Sequence, residues 1–522
     1  MEQKSFFASS RLSLALTLFF LFGIALAIRA YDITDLPLDF HPTRQLFSAI
    51  KARGMYYETL PDVSETQREF AIQQWKTKVT IEPEIIEHIA VFFYRLTGKE
   101  QLWIPRLISA LFWLVGGIFV YLLARDMLSV DGGVLALAFY LFVPYGIFAS
   151  RSFQPDPLMV TLIVAFWWLV YRWSVSPLPL GAPTGDDKGP GVRAGWKWAI
   201  LAGGIGGLAI FVKFVAAFFV IGGALGALLG HFKLRELLHN PQVWVLGALG
   251  VLPGAAWILY GKLVLGIFGG DMSGRFIPSM LVSPLFYIQW QTKAATVASG
   301  LGIMLGLLGL LLVRERAVRA FLFGIWGAYL VFGLYFNYHI STHDYYSLPL
   351  VAIVAASLAP LGDWFFARLR EASSGWMRGA LFVVLLYGIF STVWDVRNQM
   401  KSVDYRPQVA RWAEIHEVLG DQASVVALTE DYGLRMAYWG WMKTALWPSS
   451  GDLYQADARG NQRDIDKLFA ETAAKKSLFL VTDLDDFARQ KELRALLVGY
   501  PLIIQGDGYL IYDLQNPLET QP

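Results

Sequence analysis

The chain has 522 residues, 55% hydrophobic and only 16% charged, a balance that a water-soluble domain could not carry without exposing large apolar patches. It therefore reads as an integral membrane protein, and with a formal net charge of +2 and no block of like charges it calls for no nucleic-acid partner. It contains no Cys, which excludes disulfides, zinc-thiolate sites and a Cys nucleophile, and leaves any chemistry to carboxylates, His, Lys, Arg or hydroxyls.

The first apolar run, Leu12 to Ala30, follows Lys4 and Arg11. It is long enough for about 30 Å of hydrocarbon and lacks a small-x-small cleavage pattern before Arg29, so it is expected to stay as an anchor. Further runs of about 17 to 22 apolar residues lie near 103–124, 132–149, 157–174, 196–212, 214–232, 243–260, 296–313, 317–336, 345–361 and 379–394. The expected fold is a polytopic α-helical membrane protein of about eleven transmembrane helices. With the N-terminus cytoplasmic, the short inner connections carry Arg125; Lys188 and Arg193; Lys233 and Arg235; Arg314, Arg316 and Arg319; and Arg368, Arg370 and Arg378. That bias fits the positive-inside rule. Lys213 interrupts one apolar stretch, which is read as a tight hairpin; a single span there would invert every later assignment.

On the outer side this topology places a long loop at 32–102, a turn around 151–156, a loop at 261–295, a connection at 337–344 and everything after 394. In the long loop, residues 43–57 and 83–96 read as amphipathic helices lying in the interface, the second closed by Gly98. Between them, Ser64 and Gln67 stand at capping-box spacing ahead of Phe70, Ile72 and Trp75. Residues 176–195, rich in Pro, Gly and Asp, form the one flexible linker, and no chemistry is assigned to it. The expected division is a transmembrane catalytic domain at 1–394 and an extracytoplasmic α/β domain at 395–522. In the latter, strands are expected at 424–428, 477–482, 502–505 and 509–512 and helices at 465–475 and 487–498, with Gly506-Asp507-Gly508 as a hairpin turn.

The outer segments gather the chemistry-bearing residues. The segment 37–44 (PLDFHPTR) carries Asp39, His41 and Arg44 just beyond the first span, and the long loop adds Glu82, Glu84 and His88. The 151–156 turn offers Arg151 and Asp156, and the last connection offers His339, His343 and Asp344 ahead of Tyr345 and Tyr346. Each has a structural alternative: Asp156, followed by Pro157, could be a helix cap, Asp344 another, and His88 a core residue. Their confinement to one face suits group transfer from a lipid-anchored phosphate. A carboxylate at the interface can accept a hydroxyl proton, and Arg, Lys213, Arg275 or His343 can meet the phosphate. A carboxylate and His pair could hold a divalent cation, though no spacing here is specific for one.

An Asp soon after the first span, a long outer loop with Glu-Pro-Glu, an Arg-x-x-x-Pro-Asp turn and a late His-Asp-Tyr-Tyr-x-x-Pro segment together resemble the GT-C glycosyltransferases. Within them the sequence is similar to the bacterial relatives of the protein O-mannosyltransferases and the lipid A aminoarabinose transferase. The resemblance covers residues 1–400. It implies a sugar donated by a polyprenyl phosphate, inversion at the anomeric carbon and an acceptor of unspecified class, in a bacterial inner membrane. It also implies Asp39 as catalytic base, Asp156 as a second catalytic acid that positions donor or acceptor, and Glu82 or Glu84 as the loop acid. Phe40 departs from the Asp-Glu pair of the mannosyltransferases, which disfavours protein as the acceptor. The competing readings are a multi-pass transporter and a non-catalytic assembly protein of the cell envelope; a transporter does not need so long an amphipathic outer loop, and no inverted halves are visible.

Overall fold

The structure, a computed structural model, describes residues 5–175, 190–267, 276–372, 375–420, 424–458, 460–461 and 463–518. Most of the 176–195 linker, and Arg275, lie outside them. In chain order the helices are α1 (Arg11–Ala30), α2 (Pro42–Tyr57), α3 (Glu65–Lys76), α4 (Ile85–Thr97), α5 (Trp103–Met127), α6 (Val130–Phe142), α7 (Pro144–Ser150) and α8 (Asp156–Val175). They continue with α9 (Pro190–Val212), α10 (Ala216–His231), α11 (Leu234–Leu238), α12 (Pro241–Leu263), α13 (Pro284–Ala298), α14 (Gly300–Leu312), α15 (Arg316–Tyr335), α16 (Asn337–Thr342), α17 (Pro349–Ala372) and α18 (Gly375–Lys401). The chain divides into two compact units: 1–34, 79–89 and 102–403 form the first, and 35–78, 90–101 and 404–522 the second.

In the first unit, eight helices among the described residues are long and apolar enough to cross a membrane, and up to ten spans result if each bent pair counts as one. Every apolar run read from the sequence coincides with a helix, but two differ in shape. The 132–149 run is bent by 64° between α6 and α7, because Pro144 lacks the N–H that would continue the helix. The 296–313 run is only the second half of a pair bent by 90°, with Ser299 at a φ of 60° between α13 and α14. Helix α13 occupies residues read from the sequence as loop, since Gln289, Gln291 and Lys293 break up its apolar pattern. Helix α10, at 16 residues, is a shorter apolar helix, so the count of eleven spans is not fixed.

The chain does reverse at Lys213. A Cβ on Gly206 would lie 3.2 Å from Val220, seven residues either side of the break. Small residues then let α10 meet α15: a Cβ on Gly222 would sit 2.6 Å from the Gly324 carbonyl oxygen, so only glycine permits that approach.

The second unit carries a five-stranded sheet of β1 (Val425–Leu428), β2 (Ala445–Leu446), β3 (Leu478–Val481), β4 (Leu502–Gly506) and β5 (Tyr509–Asp513), in the order β2-β1-β3-β5-β4. Strands β2, β1 and β3 run parallel, and β5 is antiparallel to both β3 and β4. Alternation along β1 sends Val425 and Ala427 to a core with Trp412, Met436 and Ile511, and Val426 and Leu428 to one with Trp447, Phe469 and Leu497. Both faces are therefore covered, by α19 (Gln408–Leu419) and α20 (Leu434–Trp439) on one and by α22 (Ile465–Ala473) and α24 (Lys491–Leu497) on the other; α21 (Ser450–Ala458) and α23 (Leu484–Arg489) complete the helices. Helix α2 belongs here. Rather than presenting one face to lipid, it buries Gln45, Leu46, Ile50, Lys51 and Met55 within the protein. Arg53 pairs with Glu100 at 3.0 Å and lies 3.5 Å over the Tyr438 ring. Burial alone would lower that guanidinium's pKa, but Glu100 and Tyr438 outweigh it and hold it above its ordinary value. Helix α4 keeps Phe92 and Leu96 exposed, as an interfacial helix would.

Candidate functional site

Each unit carries one cluster of the residues singled out in the sequence. In the first, the α9–α10 reversal places Lys213 6% exposed, a position where an ammonium persists only with partners. It has them: its Nζ lies 2.8 Å from Asp156 Oδ1 and 3.5 Å from Glu82 Oε1. The rings of Tyr345 and Tyr346 stand 5.4 and 5.6 Å from it, within cation–π range.

Asp156 is the first residue of α8 and 1% exposed, where the helix N-terminus favours a carboxylate. Its Oδ2 is buried and has no hydrogen-bond partner among the described residues. The side chain of Gln154, also 1% exposed, has neither amide atom satisfied among them.

The turn that aims Asp156 is braced by buried arginines. Arg29 donates to the carbonyls of Ala25 and Leu141 at 3.0 and 2.9 Å, and to Ser150 Oγ at 2.7 Å. Arg106 donates to the Arg151 carbonyl at 3.1 Å, and Arg151 itself donates to the Asp32 carbonyl at 3.1 Å. Arg151 is thus inside the protein, holding chain to chain. Glu84 accepts from Thr80 at 3.1 Å, Asp344 accepts from the Tyr145 hydroxyl at 2.9 Å, and His343 contacts Thr342 at 2.8 Å and stacks on His339. Tyr145 was missed in the sequence, where nothing separates it from other aromatics of the apolar runs.

In the second unit, Asp39 is half-buried in a turn that the sequence folds by three devices. Pro42 opens α2 at its first position, His41 caps that helix at a φ of 42°, and the fully buried Gln45 amide donates to the carbonyls of Pro37 and Phe40 at 3.2 and 2.5 Å. A left-handed non-glycine residue costs about 1–3 kcal/mol and persists only when its surroundings over-determine it; Gln45 supplies that determination. The His41 ring meets Phe40 edge-on at 4.5 Å. Thr43 donates to Asp431 at 2.8 Å, and Asp431 pairs with Arg435 at 2.6 Å. Arg44, the next residue of α2, is half-buried. Burial, and next the charge of Asp39, raise the Tyr405 phenol above its ordinary pKa, which puts that side chain within electrostatic reach of Asp39. Tyr405, Asp431 and Arg435 stand more than 360 positions from the 37–44 segment in the chain, a proximity that no local pattern signals.

Of the carboxylates singled out in the sequence, Asp156 and Glu82 meet on Lys213. No group of three or more His, Asp or Glu placed to hold a metal ion occurs among the described residues.

A family model described as dolichyl-phosphate-mannose-protein mannosyltransferase matches residues 82–176, the stretch that includes Glu82, Glu84, Arg151 and Asp156. No curated protein matches the chain by sequence. Among solved structures, ArnT from Cupriavidus metallidurans is similar in the apo state at a TM-score of 0.53 and 14% identity, over 96% of this chain and 98% of that one. The same protein bound to undecaprenyl phosphate is similar at a TM-score of 0.56 and 14% identity, over 97% and 98%. The archaeal oligosaccharyltransferase AglB from Archaeoglobus fulgidus, in complex with an inhibitory peptide and a dolichol-phosphate, is similar at 0.51 and 13% identity, over 91% of this chain and 70% of that one.

Proposed function

We propose that this multi-pass membrane chain, which has the GT-C fold and is related to the PMT and ArnT glycosyltransferases, moves a sugar from a polyprenyl phosphate to an acceptor hydroxyl. The observation that carries the reading is the desolvated Lys213 between Asp156 and Glu82, flanked by two tyrosines at the end of apolar helices. Such an ammonium, already stripped of water, is suited to a phosphate at headgroup depth. That ArnT and AglB have been seen with undecaprenyl phosphate and dolichol-phosphate supports the same class of donor here.

In the proposed reaction the acceptor oxygen attacks the anomeric carbon from the face opposite the phosphate. The bond from that carbon to the phosphate oxygen breaks, configuration inverts, and polyprenyl phosphate leaves with the electron pair. Asp39 takes the hydroxyl proton, its turn held by Gln45, and His41 and Arg44 contribute polar and positive character beside it. Asp156 orients a hydroxyl through Oδ2 while Lys213 meets the leaving phosphate; Glu84, His343, Asp344 and Tyr345 complete the substrate-binding set, as would Arg275, whereas the buried Arg151, expected from the sequence to bind substrate, braces the turn instead. The acceptor is a lipid, glycan or protein hydroxyl, with Phe40 disfavouring protein. No resident cofactor is invoked, and no step is assigned to a divalent cation.

The protein is placed in a bacterial inner membrane, with the reaction on the outer face. A phosphatase fused after Gln399 should then be active and one fused after Lys188 inactive; the opposite result after Gln399 would invert the topology. The activity itself is tested by incubating purified protein with a panel of polyprenyl-phosphate sugars and measuring free polyprenyl phosphate. Release from at least one donor is expected, and no release from any of them, with or without a hydroxyl acceptor, would sink the reading. Transport would instead move the lipid-linked sugar intact.

A further inference from the structure

Helix α18 is the odd member of the first unit. Its most apolar stretch is long enough to cross a membrane yet only 6% buried, against 83% for α8. Between it and the body, formed here by α1, α6 and α17, runs a cavity of about 570 Å³. Its walls include Leu16 and Phe20 of α1, Leu135 and Ala138 of α6, and Phe382 and Leu386 of α18.

Two hydroxyls also line the cavity, and the proton of each is already committed to a backbone carbonyl. Ser13 Oγ donates to the carbonyls of Phe7 and Ser10, and Thr17 Oγ1 to that of Ser13. Whatever fills the space therefore needs no polar group along its length.

The end near the start of α1 is built, not incidental. Asp131 accepts from Ser5 Oγ at 2.5 Å and from the amides of Phe6 and Phe7 at 2.8 and 3.0 Å, and pairs with Arg370. That docks the segment ahead of α1 so that Phe6 and Phe7 pack on Phe366, and all three rings form part of the wall. At the same end the exposed Arg11, Arg368 and Arg378 supply positive charge, while the Asp131 carboxylate is already engaged.

We propose that this groove holds an acyl chain of an anionic phospholipid from the leaflet at the N-terminal ends of α1 and α18. The length fits: Ser13 to Ile24 of α1 spans about 16 Å at 1.5 Å per residue, close to half of a ~30 Å hydrocarbon core and so one leaflet deep. A polyprenyl chain would overrun it. The arginines supply the match for the headgroup, and the chain fills the gap along the N-terminal half of α18, whose C-terminal half packs directly on Ile28 and Ile147 through Val396 and Met400.

The test uses the full chain in nanodiscs of mixed phosphatidylglycerol and phosphatidylethanolamine, transferred to detergent and weighed by native mass spectrometry. One phosphatidylglycerol is expected to stay bound to the wild-type protein. Ala138→Phe and Leu16→Trp, which fill the groove from two walls, should lower its retention at least tenfold, and Arg378→Gln should erase the preference for the anionic lipid. Equal retention in both filled variants, or a retained polyprenyl phosphate in place of the phospholipid, would overturn the assignment. Should the filled variants not fold, the wild-type protein is cross-linked to a diazirine-bearing phosphatidylglycerol. Label concentrated on α1 and α18 is expected, and label spread evenly onto exposed Leu301, Met304 and Leu311 of α14 would show annular lipid only and refute the site.

Discussion

Replacing Lys213 by Met removes the ammonium and leaves Asp156, 1% exposed, facing Glu82 without a counter-charge. Breaking a buried pair from one side costs about 3–5 kcal/mol, because the surviving charge stays desolvated. Neither partner is exposed enough for solvent to screen that cost. The loss should appear as a fall of several degrees in the thermal midpoint in detergent, followed by the fluorescence of the 19 Trp residues. Adding Asp156→Asn to Lys213→Met removes the orphaned carboxylate and should recover more than about 1 kcal/mol, the signature of direct coupling. Donor binding should not recover with it, because the cation proposed to meet the phosphate is still missing. A Lys213→Met protein as stable as wild type, or a double variant no better than the single, would refute the claim that this pair is a desolvated, mutually dependent unit.

Two further outcomes follow from the second unit. Gln45→Leu keeps the volume but strips the donors from the Pro37 and Phe40 carbonyls, so turnover should fall by about 10- to 100-fold through misplacement of Asp39, with donor affinity unchanged; unaltered turnover would show that the turn holds itself. Gly54→Val should cost about 1–3 kcal/mol, since even its Cβ would lie 2.4 Å from Trp75 Cβ and 2.7 Å from the Ala71 carbonyl oxygen, and a thermal midpoint equal to wild type would mean that α2 and α3 do not pack this closely.

The apolar helices were legible because a membrane span is a run of composition, visible without knowing any neighbour. The breaks within them were less so. Pro144 signals a bend, but the left-handed Ser299 and the amphipathic α13 carry no mark that distinguishes helix from loop. In the tail, β1, β3, β4 and β5 stood out by their apolar runs, whereas the two-residue β2 exists only because β1 offers it a partner. Asp156, Glu82 and Lys213 were each singled out alone, and their convergence is tertiary. Gln45 was missed because a buried amide that holds a turn looks, in sequence, like one more polar residue on a helix.

The most direct measurement of the central claim is turnover of Asp39→Asn on folded protein with saturating polyprenyl-phosphate sugar, with donor binding measured on the same sample. Asparagine keeps the size and hydrogen bonding but cannot take the proton. If Asp39 is the base, turnover should fall by about 10² to 10⁴ while donor affinity is retained. Near-wild-type turnover would contradict the account and pass the role of base to Glu82, Glu84 or Asp156.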